Sequence, residues 1–300
     1  MIGFEIIEQN LKQNFETKKL PHAIIFAGKR GIGKASFAKE FCKKILQSHH
    51  EANADFRIIE KIDDKKSIGI EEIRKQSDFL NQTSAISEYK FVIIDSACEL
   101  TNQASNSLLK TLEEPKTNNF LFLIAHNLSK IIPTIRSRCL IIKIPELSSS
   151  QFLEILRYNK IIYSDQDNDF LSKICDNCPA LAIEFGVDLI RFYQLFLQSI
   201  LNQKLNDELL KKISEKNSSF IIFERILLHF FSQWLKFNNQ ILIEYFFNES
   251  AIFDFLLPKF SSQQILNLAN ESLKNLEKVT TSHLDKKLNL INIFNQIIYV

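Results

Sequence analysis

Residues 28–36 read GKRGIGKAS. Gly28, Gly31 and Gly33 let successive backbone amides approach an anion, and Lys34 follows at the place from which an ammonium reaches terminal phosphates. The pattern G-x-x-x-x-G-K-[ST] is met up to its last position, where the magnesium-holding hydroxyl is replaced by Ala35. Ser36 lies about 100° further round a helix and is no simple replacement. A second group, Asp95, ends the apolar run FVIID, where a metal-associated carboxylate belongs. The next residue is Ser96, which has no carboxylate to orient an attacking water. These residues point to a phosphate-binding loop from which two hydrolytic positions have been lost.

Such a loop needs a strand before it and a helix after it, and the chain supplies both. Residues 22–28 (HAIIFAG) read as a strand and residues 34–46 as a helix. Further strands are expected over residues 56–60, 89–95, 119–126 and 139–144, with a helix over 70–80 and another capped by Thr101 that stops before Pro115. Alternating strands and helices imply a parallel sheet covered by helices. After Pro145 the pattern turns helical. Phe223, Ile226, Leu227, Phe230, Phe231 and Trp234 repeat at helical spacing, a stripe read as core or subunit packing, and further helices are expected from about residue 261 to 300.

Composition bounds the function. The 300 residues are 45% hydrophobic and 24% charged, which excludes disordered and fibrous classes. Net charge is +2, from 37 basic and 35 acidic side chains, so the whole chain has no strong electrostatic footprint for nucleic acid. The amino terminus lacks a charged-then-apolar signal arrangement, and no apolar run approaches the roughly 18 residues of a membrane span. A cytoplasmic location is the expectation. Cys42, Cys98, Cys139, Cys175 and Cys178 are odd in number and scattered, so they suggest no disulfide framework. Cys175 and Cys178 form a CxxC without a second pair, read as two half-buried helix cysteines, and no zinc is expected. The adjacent His49 and His50 are read as loop residues.

Three segments, PHAIIFAGKRGIGK, FVIIDSACELTNQASNSLLKTLEEP and LIAHNLSKIIPTIRSRC, resemble in order and spacing the signature blocks of bacterial DNA polymerase III clamp-loader subunits, which are AAA+ proteins. The resemblance covers roughly residues 21–144. It implies an α/β P-loop AAA+ domain with a parallel sheet over residues 1–146, a small helical lid over 147–195, and an all-α C-terminal collar domain over 196–300. LDKKLNLINIF is similar to the final collar helix. Asn127 matches the sensor region whose polar side chain reaches a terminal phosphate; capping of its own loop is the alternative. The motif Ser137, Arg138, Cys139 matches the one whose arginine completes a neighbouring subunit's ATP site, which implies that Arg138 acts in trans. No arginine occurs in the lid stretch CDNCPALAIEFG, and residues 46–59 lack the family's four-cysteine insert. The resemblance therefore implies a subunit without catalytic activity of its own, in which idle binding of ATP or ADP stays open. Its implied partners are the motor (gamma and tau) and delta subunits, the sliding clamp and, mainly through the complex, primed DNA, with no membrane. An ATP-hydrolysing motor subunit and an interaction module outside replication are the alternatives. Lys18, Lys19, Lys29, Lys130, Arg136 and Lys143 are assigned to the nucleotide face.

Overall fold

Five apolar runs form five strands: β1 (Ala23–Ala27), β2 (Phe56–Glu60), β3 (Lys90–Asp95), β4 (Asn119–Ala125) and β5 (Leu140–Lys143). Around them stand α1 (Glu5–Glu16), α2 (Lys34–Ile45), α3 (Ile70–Asn81), α4 (Asn102–Glu113) and the short α5 (Pro133–Arg136). The computed structural model describes residues 1–47, 53–60, 67–215, 217–281 and 285–298, in two compact units, Met1–Gln151 and Phe152–Val300. His49 and His50 lie outside the described residues. All strand pairs are parallel, in the order β2-β3-β4-β1-β5. β1, β3 and β4 are buried almost throughout because helices cover both faces, whereas the edge strands β2 and β5 expose part of their residues.

Alternation along the strands separates two chemistries. One face is aromatic: Phe26 meets Phe122 edge-on at 5.4 Å and Phe91 stacks on Phe120 at 5.0 Å. The other is aliphatic, with Ile25, Val92, Ile94, Leu121 and Leu123 packed with Ile73, Leu108 and Leu112 of α3 and α4. Helix α1 is an element that the sequence reading did not anticipate. Phe4, just before it, stacks on Phe37 of α2 at 4.7 Å, and Glu8 pairs with both the Met1 ammonium (3.1 Å) and Lys44.

The connection from α3 to β3 is held by a buried carboxylate. Asp55 accepts N–H bonds from Ala85 (2.7 Å), Ile86 (2.8 Å) and Ser87 (2.8 Å). Burial works against its charge, but the three N–H bonds prevail and hold its pKa below the ordinary value. A lowered folded pKa adds stability that is present above the unfolded value, about 3.9, and is lost as pH falls through the folded pKa. Asp55→Asn is expected to cost about 2 kcal/mol at pH 7, with the gap to the parent narrowing below about pH 4; denaturant melts at the two pH values measure it.

From Ser149 every described element is helical: α6 (Ser149–Tyr158), α7 (Asp165–Ile174), α8 (Pro179–Leu201), α9 (Asp207–Glu215), α10 (Asn217–Asn238), α11 (Glu249–Leu256), α12 (Ser262–Thr281) and α13 (Lys286–Ile298). The α10 stripe from Phe223 to Trp234 is buried in one core with Phe170, Phe196, Phe253 and Ile293. Cys175 and Cys178 depart from expectation: both are fully buried and sit in the turn between α7 and α8. Asp176 and Asn177 take positive φ of 52° and 55°, which ends α7, and Pro179 opens α8. Among the described residues no helix is long and apolar enough to cross a membrane.

Candidate functional site

The loop after β1 is positioned by the sheet itself. Gly28 N–H donates to the Ala125 carbonyl of β4 at 3.0 Å, and a Cβ at Gly28 would stand 3.0 Å from the Ile144 carbonyl oxygen, a crowding that glycine avoids. Gly31 and Gly33 both take positive φ, the latter at 94° as the first flanking residue of α2. Lys34 is 4% exposed and its ammonium donates to the carbonyls of Gly28 (2.8 Å) and Lys29. A phosphate must compete with these carbonyls for it. Lys29 in turn pairs with Glu146 at 2.9 Å.

Asp95 and Asn127 follow at the same carboxyl ends, on β3 and just beyond β4. Parallel register brings Gly28, Gly31, Gly33, Lys34, Asp95 and Asn127 to one end of the sheet, where open α/β sheets bind ligands. Burial raises the Asp95 pKa, with the charge of Glu60 adding to it and Lys39, Lys34 and Arg30 opposing. The Asn127 Oδ1 accepts from Ser129 N–H at 3.0 Å and Ser129 Oγ at 2.7 Å, capping the single 3-10 turn Leu128–Lys130. That is the loop-capping geometry.

Two residues of this end were not singled out from sequence. His126 places Nδ1 3.0 Å from Ser96 Oγ, tying β4 to the position where a water-orienting carboxylate would stand. Burial lowers its pKa first, then Arg30, Lys34 and Lys130, with Glu99 opposing, so the imidazole is neutral at pH 7. Arg30 is the other, a cation felt by both Asp95 and His126. The only signal for either was a polar residue flanking a motif already marked.

Lys18, Lys19 and Arg136 correct the assignment of basic residues. Lys18 and Lys19 precede the amino end of β1, about 17 Å along the strand from its loop, and Arg136 closes α5 just before the amino end of β5, so all three lie away from the nucleotide face.

Ser137, Arg138 and Cys139 also sit at the amino ends of the strands. Leu140 pairs in register with Ile24, four residues before Gly28, and Arg138 lies two residues further back. That separates Arg138 from its own loop by about 20 Å. Ser137 ends α5, its Oγ donating to the Thr134 carbonyl at 3.1 Å. Cys139 packs against the aliphatic core, and burial pushes its thiol up to about 12, which leaves it a packing group and no nucleophile. A cleft of about 220 Å³ opens at this end between α3 and α4, with Arg74, Lys110, Lys116, Asp78 and Glu114 in its lining.

Residues 4–148 match the family described as DNA polymerase III, delta subunit. The chain is 29% identical to the DNA polymerase III subunit tau of Bacillus subtilis over 73% of its length and 44% of that protein's. It is 30% identical to the delta' subunit of Pseudomonas aeruginosa, over 39% of its length and 41% of that protein's. It thus spans less than half the length of either relative. Among solved structures, a DNA polymerase III gamma subunit-related protein of Thermotoga maritima superposes with a TM-score of 0.53 over 98% of both chains, at 18% identity, a likeness of fold.

Proposed function

We propose that the chain belongs to the DNA polymerase III clamp-loader family, a reading supported by the match over residues 4–148 and by its delta' relatives, and that it acts there as the delta prime subunit, which hydrolyses no ATP and lends Arg138 to a neighbouring motor subunit of the gamma or tau type. One observation carries the reading: Arg138 stands half-exposed at the sheet end opposite its own phosphate loop, too far to serve it and free to face another chain. The chain's own loop supports the same division of labour. Ala35 and Ser96 supply neither the metal ligand nor the water-orienting carboxylate, so a nucleotide held by Gly28, Gly31, Gly33 and Lys34 has no hydrolytic partner groups. In this reading the helical unit joins the collar of a cytoplasmic complex with motor and delta subunits. That complex opens the sliding clamp and places it on primed DNA.

Reconstitution with purified motor and delta subunits tests this. The expected result is a stoichiometric complex whose clamp loading on primed DNA depends on this chain. The isolated chain is expected to hydrolyse ATP at background rate, and Ala35→Thr to leave it there, because Ser96 still offers no carboxylate. Hydrolysis by the isolated chain would favour a motor subunit instead.

A further inference from the structure

The guanidinium of Arg138 is held from two elements. Nη2 lies 2.8 Å from Glu113 Oε1 on α4, while Nη1 donates to the Thr134 carbonyl of α5 at 3.1 Å and lies 3.4 Å from Ser137 Oγ. α4 runs from the carboxyl end of β3 back to the amino end of β4, so its last residue arrives where Arg138 is presented. Glu113 is an odd choice for folding. It closes a helix, where the dipole disfavours a carboxylate, and Glu114 adds a second negative charge beside it. The pair is 37% and 50% exposed, and exposed pairs contribute little to stability.

We infer that Glu113 is a positioning residue for Arg138: it fixes the plane of the guanidinium at the chain's edge so that the arginine meets a neighbour's phosphate already oriented. The inference rests on the in-trans role of Arg138 proposed above. Orientation, and not restraint, follows from two features. The contacts use three of the five N–H donors of a guanidinium, which leaves two for a phosphate oxygen while the grip is kept. An arginine also loses much rotamer freedom when it engages a ligand, and a side chain ordered beforehand removes that loss from the barrier. Glu113 touches no substrate in this scheme.

The test is clamp- and primed-DNA-stimulated ATP turnover by reconstituted complexes carrying wild-type chain, Glu113→Ala, Glu113→Gln, Arg138→Ala and the Glu113→Ala/Arg138→Ala pair. Glu113→Ala is expected to lower kcat about fivefold with KM for ATP and assembly unchanged, a split that a merely structural role does not produce. Glu113→Gln still accepts an N–H bond and recovers most of the rate. On the Arg138→Ala background the second change adds nothing. If Glu113→Ala does not assemble, Glu113→Asp carries the comparison, with a smaller kcat loss expected. Unchanged or raised kcat in the Glu113 variants, while Arg138→Ala still loses activity, overturns the positioning role alone. So does an undiminished Glu113 effect on the Arg138→Ala background. No loss in Arg138→Ala sinks the in-trans role and this inference with it.

Discussion

Arg138→Ala is expected to lower clamp- and primed-DNA-stimulated ATP turnover of the reconstituted complex about a hundredfold or more, with the complex still eluting intact. Arginines supplied in trans to a transferring phosphoryl group accelerate hydrolysis about 10³- to 10⁵-fold at the site that they complete. A loss of this size requires the motor sites to fire in concert, because sites that this chain does not face and that fire independently would keep their own turnover. Arg138→Lys is expected to recover little, because an ammonium keeps the charge but lacks the planar fork that spans two phosphate oxygens. Folding is no confounder: Arg138 makes exposed contacts with Glu113, Thr134 and Ser137, so its loss leaves the core untouched. Turnover equal to wild type would reduce Arg138 to a surface ion pair. A loss that tracks dissociation of the complex would make it an interface residue.

The parts of this arrangement legible in the sequence are those fixed by local pattern. β1, β3 and β4 are buried on both faces, so each is a continuous apolar run, and the structure trims those runs by a residue at some ends. The loop is legible because its backbone demands glycine at Gly31 and Gly33. Helix α1 gives a weaker signal, since Leu11 is its one fully buried residue and its anchor, Phe4, lies outside it. The turn at Cys175 and Cys178 is hidden for a different reason: Asp176 and Asn177 adopt a left-handed conformation for which each is only one permissive residue among others.

What sequence cannot supply is the meeting of distant charges. Glu113 and Arg138 come together because β5 pairs with β1 in a register that sets Leu140 beside Ile24. Nothing in LLKTLEEP announces that partner. Lys18 and Lys19 fail in the opposite sense, close to the loop in sequence and a strand length from it in space. Glu249 is the extreme case. In NESAIFDFL it reads as an exposed acid at a helix start, a position that the dipole favours. In the fold it is wholly buried.

The second large effect is therefore expected from Glu249→Ala. The Tyr193 hydroxyl donates to Glu249 Oε1, His229 Nε2 stands 3.2 Å from the same oxygen, and Phe246 N–H donates to Oε2 at 2.8 Å. The surround is aromatic: Phe170 stacks on Tyr193 at 5.0 Å and meets His229 edge-on at 5.5 Å. Burial, then the charge of Glu249, holds the Tyr193 pKa well above its ordinary value, so the hydroxyl stays a donor across the neutral range. Alanine at 249 strands a hydroxyl, an imidazole and an amide in an apolar box, and the helical unit is expected to lose about 4 kcal/mol. Glu249→Gln keeps an acceptor of the same shape and is expected to cost about half as much. Tyr193→Phe combined with Glu249→Ala should cost less than the sum of the two, because the phenol is no longer left without an acceptor. Trp234 is the chain's one tryptophan and lies in the same core, so its fluorescence during denaturant unfolding follows this unit separately from the sheet. A shift below about 1 kcal/mol for Glu249→Ala would mean that water reaches these groups and that the carboxylate does not hold α8, α10 and α11 together.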